Sequence, residues 1–112
     1  MIRECQEEAD WEALVKASYD RPVFVFKHST RCPISASRWP IFQSFAGKES
    51  SAECYRLMVI EDRSLSVRVA QATGVEHESP QVILLHKGKA VWHTSHWSIT
   101  EEEMRAALSM AV

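Results

Sequence analysis

The stretch that most constrains this chain is Val23 to Ser35. Val23-Phe24-Val25-Phe26 is a continuous apolar run that suits a strand covered on both faces, and Cys32-Pro33 opens a helix shortly after it. Proline is favoured at the first helical position, where its missing N–H would have had no partner and its φ is already helical. Pro33 therefore makes Cys32 the N-cap, with the backbone N–H groups of Ile34 and Ser35 aimed back at its side chain. Those donors and the positive end of the helix dipole favour a sulfur anion, which is the nucleophilic form of cysteine.

The remaining pattern places this junction in an α/β sheet. Glu7 to Tyr19 carries Trp11, Leu14, Val15 and Ser18 on one helical face, and Asp20-Arg21-Pro22 ends it. Lys27 to Arg31 reads as a loop. The helix from Pro33 aligns Ile34, Ile41, Phe42 and Phe45 and runs to Gly47, with a kink or break expected before Pro40. Ala52 to Ile60 reads as a second strand, parallel to the first because a helix joins them. Asp62 to Thr73 is a short helix closed by Gly74. Val82 to Leu85 and Ala90-Val91-Trp92 form a hairpin about Lys87-Gly88. Thr100, with Glu103 three residues on and Ile99 able to pack on Met104, starts the last helix. The order α-β-α-β-α-β-β-α predicts a four-stranded mixed sheet flanked by helices, a single thioredoxin-like domain over residues 1–112.

Composition narrows the function. The chain has 112 residues, a net charge of −2 and no long basic run, so neither nucleic acid nor a membrane surface is the expected partner. No apolar segment approaches the roughly 18 residues of a membrane span, and the opening Met1-Ile2-Arg3-Glu4 does not look like a signal peptide; a cytoplasmic protein is expected. Three cysteines without metal-ligand spacing suit free thiols in a reducing compartment.

The residue three beyond Cys32 is Ser35, where a dithiol oxidoreductase has its resolving cysteine. Cys32-Pro33-Ile34-Ser35 can thus form a mixed disulfide but cannot close the usual ring. The competing reading is an inert packed cysteine; the strand-to-helix junction, with Pro33 after it and Arg31 before it, favours a reactive thiolate. Ser35 either donates a hydrogen bond to that thiolate or is simply a tolerated first-turn residue. Lys27, His28 and Arg31 give the preceding loop positive charge for stabilising the sulfur anion and for docking carboxylates, or form a solvated basic loop. Ser79-Pro80 opens the strand expected beside the Cys32 strand, and the fold reading makes a cis bond next to the sulfur the preferred geometry. His93 and His96 fall on opposite strand faces, so no metal site is assigned. Cys54 reads as packing and Cys5 as exposed; both stay open as distant resolving thiols.

These residues resemble the monothiol bacilliredoxins, also called YtxJ-type bacillithiol-system proteins. The likeness runs through Cys32-Pro33-Ile34-Ser35, Thr73-Gly74-Val75, His77-Glu78-Ser79-Pro80-Gln81, Val91-Trp92-His93, Ser95-His96-Trp97 and Ile99-Thr100. Where that family usually has threonine before the cysteine, this chain has Arg31. The resemblance implies a thioredoxin-like fold and de-bacillithiolation, in which Cys32 attacks a mixed disulfide between a protein cysteine and bacillithiol. Bacillithiol would be a co-substrate rather than a tightly bound cofactor, and bacillithiolated proteins the partners. Its malate carries two carboxylates, for which Lys27 and Arg31 are the candidate docking charges, with Ser79 and Pro80 receiving the substrate backbone. Two other readings use the same scaffold: a monothiol-glutaredoxin-like iron–sulfur carrier, and a non-catalytic binding module.

Overall fold

The computed structural model describes residues 1–111. Its elements are β1 (Ile2–Glu4), α1 (Glu8–Ala17), β2 (Val23–His28), α2 (Pro33–Lys48), β3 (Glu53–Met58), α3 (Arg63–Thr73), β4 (Gln81–His86), β5 (Lys89–Ser95), a 3-10 turn over His96–Ser98, and α4 (Glu101–Ala111). The strands form one mixed sheet in the order β1-β3-β2-β4-β5. β2 runs parallel to β3, as a helical crossover requires, while β4 is antiparallel to both β2 and β5.

The alternation of β2 separates two apolar layers. Val23 and Val25 pack on one face with Trp11 and Leu14 of α1 and Leu65 and Val69 of α3. Phe24 and Phe26 pack on the other with Phe42 and Phe45 of α2 and Met104 and Leu108 of α4. Every residue of β2 is buried, and its first four, Val23 to Phe26, form a continuous apolar run rather than an alternating pattern.

Local signals set the element ends. The Asp10 carboxylate accepts the Gln6 and Glu7 N–H groups at the start of α1. Thr100 Oγ1 accepts the Glu103 N–H at 3.1 Å at the start of α4, as its sequence predicts. Gly74 ends α3 at φ 71°, and Lys87 and Gly88 turn the β4–β5 hairpin at φ 54° and 80°, the pair of positive values a two-residue turn needs.

Four expectations change. The sheet has a fifth strand, because Ile2, Arg3 and Glu4 pair with Cys54, Tyr55 and Arg56. That pairing buries Cys5, expected to be exposed: its N–H donates to the Arg56 carbonyl at 2.8 Å and its side chain lies in the Trp11–Leu14 layer. β2 extends through Lys27 and His28, so the loop before Cys32 is shorter than expected. Finally, α2 continues unbroken through Pro40 to Lys48. Phe42, Phe45 and Ala46 beyond the proline are buried, and that packing holds the second half of the helix in line despite one missing backbone bond. Among the described residues no helix is long and apolar enough to cross a membrane.

Candidate active site

The carboxyl end of β2, the start of α2 and the segment entering β4 meet at Cys32. Cys32 is the N-cap of α2, extended at φ −106° and ψ 116°, and its carbonyl accepts the Ala36 N–H at 3.0 Å. The thiol is half-buried and free. Contrary to the capping pattern, its Sγ does not bond the N–H groups of Ile34 or Ser35; it lies 3.9 Å from the carbonyl oxygen of Ser79. A neutral thiol is a weak donor and turns toward an acceptor. The Ser79-Pro80 bond is cis, as expected, and this turn brings the Ser79 carbonyl to the sulfur.

Ser35 has a different task from the one its position suggests. The Ser29 N–H donates to Ser35 Oγ at 3.0 Å, and Oγ lies 2.7 Å from Nδ1 of His28. The one hydroxyl thus accepts from Ser29 and shares a second hydrogen bond with His28 Nδ1. Burial, with Arg56 nearby, lowers the His28 pKa and keeps the ring neutral. Trp39 covers the imidazole at 5.4 Å between centroids, and the Arg56 guanidinium lies over Trp39. Ser35 thus ties the 29–32 loop to the end of β2, and its hydroxyl is committed to His28 and Ser29 rather than to the sulfur. His28 belongs to this buried clasp rather than to a basic loop; the signal for it was the inward strand phase four residues before the cysteine.

Lys27 is a correction to the expected docking charges. It is fully buried on the α3 side of the sheet, where Nζ donates to the Ser66 carbonyl at 3.2 Å and meets Nδ1 of His77 at 3.2 Å. Strand alternation decides this: once β2 continues past Phe26, residue 27 shares the inward phase of Val23 and Val25. Burial pulls its pKa down from 10.5 to about 8. Lys27 therefore cannot meet a substrate at the surface. Arg31 is exposed directly beside Cys32, and its N–H bonds Ser29 Oγ at 3.3 Å.

The other cysteines are poorly placed and poorly activated. Cys54 stands opposite Phe24, four residues from the His28 end of the ladder, roughly 13 Å at about 3.3 Å per residue. Burial pushes the Cys5 and Cys54 thiols up to about 12.

A lone free thiol at the start of a helix, facing the backbone before a cis-proline across a mixed sheet, defines a thiol redox protein of thioredoxin fold. Solved structures agree. One protein with a thioredoxin fold, described as a candidate oxidoreductase, is 32% identical, with a TM-score of 0.86, covering 95% of this chain and 92% of the other. Thioredoxin from Fasciola hepatica superposes at 0.80 with 17% identity over 98% and 99% of the two chains, and spinach chloroplast thioredoxin f at 0.79 with 17% identity over 98% and 92%. Within this class the chain belongs to the family described as monothiol bacilliredoxin BrxC, which it matches over residues 3–104.

Proposed function

We infer that this protein is a cytoplasmic thiol-disulfide oxidoreductase that removes bacillithiol from mixed disulfides on protein cysteines, with Cys32 as nucleophile. The reading is carried by the Cys32 sulfur, half-buried at the first turn of α2 and 3.9 Å from the Ser79 carbonyl, with Ser35 where a resolving cysteine would stand. The Cys32 thiolate attacks the bacillithiol sulfur. The protein–bacillithiol S–S bond breaks, a Cys32–bacillithiol S–S bond forms, and the released protein thiolate takes a proton from water. A second thiol molecule then displaces bacillithiol from Cys32 by the same exchange.

Each neighbour has a role in this scheme. Pro33 starts the helix, and the positive end of its dipole, where Ile34 and Ser35 have N–H groups outside the helical ladder, favours a thiolate at Cys32. Arg31 supplies positive charge beside the sulfur, for the thiolate and for a carboxylate of the incoming thiol. Ser79 offers its N–H and C=O, which take no backbone partner among the described residues, to an extended substrate chain held against Pro80. With serine at position 35 and Cys5 and Cys54 buried, no neighbouring thiol competes with the second exchange.

The test is release of free thiol from a purified protein carrying one bacillithiol mixed disulfide. Stoichiometric release by the reduced wild type, lost in Cys32→Ser, is expected. Equal release by Cys32→Ser, or none by the wild type, would refute the assignment.

A further inference from the structure

Buried Lys27 belongs to a second polar arrangement, with Ser66 and His77, on the α3 side of the sheet. A cavity of about 380 Å³ is lined by Val59, Ile60, Arg63, Ser66, Val67 and His77. Small-molecule sites start near this size, at roughly 300 Å³. Two of its lining residues belong to segments that lead to the reacting sulfur. Val59 follows β3, and its N–H bonds the His28 carbonyl at 2.9 Å, at the end of the strand that leads to Cys32. His77 lies two residues before Ser79, whose carbonyl faces Sγ.

The donors at this cavity come from Arg63 and His77, with Glu78 the nearby negative charge acting on His77. Arg63 opens α3 with an exposed guanidinium, and among the described residues no carboxylate lies within 4.0 Å of it. Beneath the cavity wall, the Lys27 ammonium has donors only, so the His77 Nδ1 it meets at 3.2 Å is an acceptor. The Ser66 hydroxyl, 3.3 Å from the same nitrogen, adds to that arrangement. The imidazole proton therefore sits on Nε2, the far side of the ring from Lys27. Burial and the Lys27 charge both lower the His77 pKa and keep the ring in this neutral tautomer. The remaining lining, Val59, Ile60 and Val67, is aliphatic and suits the carbon skeleton of a small ligand.

We propose that Arg63 and the Nε2–H of His77, held in its tautomer by buried Lys27, form a subsite for a carboxylate of the low-molecular-weight thiol exchanged at Cys32. This rests on the function proposed above and identifies the part of the substrate that the cavity reads. A guanidinium and a neutral N–H donor can engage the two oxygens of one carboxylate, while a neutral disulfide gains nothing from either. Arg63 and His77 would thus be specificity-determining residues, with Lys27 a positioning residue behind them.

The experiment compares rate constants for thiol exchange at Cys32 in wild type, Arg63→Gln and Arg63→Lys. The disulfides are oxidised bacillithiol, the neutral 2-hydroxyethyl disulfide, and an acidic peptide whose cysteine carries 2-mercaptoethanol. The ratio of the bacillithiol rate to the neutral rate is expected to fall roughly tenfold in Arg63→Gln, as for loss of one charge-assisted hydrogen bond. Arg63→Lys should restore part of it, and the acidic-peptide ratio should not change. An unchanged bacillithiol ratio in Arg63→Gln, with the wild type still preferring bacillithiol, would overturn the subsite while leaving the proposed function standing. A fall confined to the acidic peptide would also overturn it, assigning Arg63 to client carboxylates. A wild type with no preference for bacillithiol over the neutral disulfide would overturn both.

Discussion

The Ser35 hydroxyl lies 2.7 Å from Nδ1 of His28, and both groups are buried. This contact ties the first turn of α2 to the end of β2 and holds the short loop that carries Cys32. Ser35→Ala would leave the Ser29 N–H and the His28 Nδ1 buried without partners. The expected cost is about 1–3 kcal/mol of stability, measured by urea unfolding. Because the hydroxyl does not serve the sulfur, Cys32 should still form a mixed disulfide in this variant. Loss of adduct formation in folded Ser35→Ala would contradict that division of roles.

Lys27 gives a pH signature. Its pKa is lowered in the folded protein from 10.5 to about 8, so between these values the unfolded chain holds a proton that the native protein has released. Stability from this group therefore rises with pH across that window, by at most about 1.4 kcal/mol per pH unit, and is flat below it. Lys27→Met removes the titration. Thermal unfolding of both proteins from pH 7.5 to 10 should show the wild type gaining on Lys27→Met as pH rises. A constant gap would mean that Lys27 titrates alike in both states.

Arg31 is expected to dock charge. In Arg31→Ala, exchange with oxidised bacillithiol should slow several-fold at low ionic strength, and the deficit should shrink as salt screens the charge. Stopped-flow rates against the neutral 2-hydroxyethyl disulfide separate the alternatives. If both substrates slow equally, Arg31 acts on the sulfur alone.

Much of this architecture was legible because its signals are local. The Val23–Phe26 run, the Cys32-Pro33 helix start, the Gly74 and Lys87-Gly88 turns and the Thr100 cap each depend on residues within one or two turns of each other. Ser79-Pro80 became readable only through the fold, since nothing in the dipeptide distinguishes cis from trans. The failures share one cause, contacts between residues distant in sequence. β1 is three residues long and exists because β3 offers it an edge. Lys27 carries a side chain usually found at the surface, and only Ser66 and His77, 39 and 50 positions away, make its burial tolerable. Arg63 belongs to no motif and His77 enters only through the stretch around Ser79-Pro80 that carries the family resemblance, since neither sits near Cys32 in the sequence. A lysine in strand phase with Val23 and Val25 was the one available hint of a buried polar cluster.

The central claim is that Cys32 alone exchanges with bacillithiol. Intact-mass spectrometry of the reduced protein after incubation with oxidised bacillithiol tests it most directly, run in parallel with oxidised glutathione and with Cys32→Ser. The account predicts a single adduct on Cys32, forming faster with bacillithiol than with glutathione, and none on buried Cys5 or Cys54. No adduct in the wild type, or equal labelling of Cys32→Ser, would contradict it.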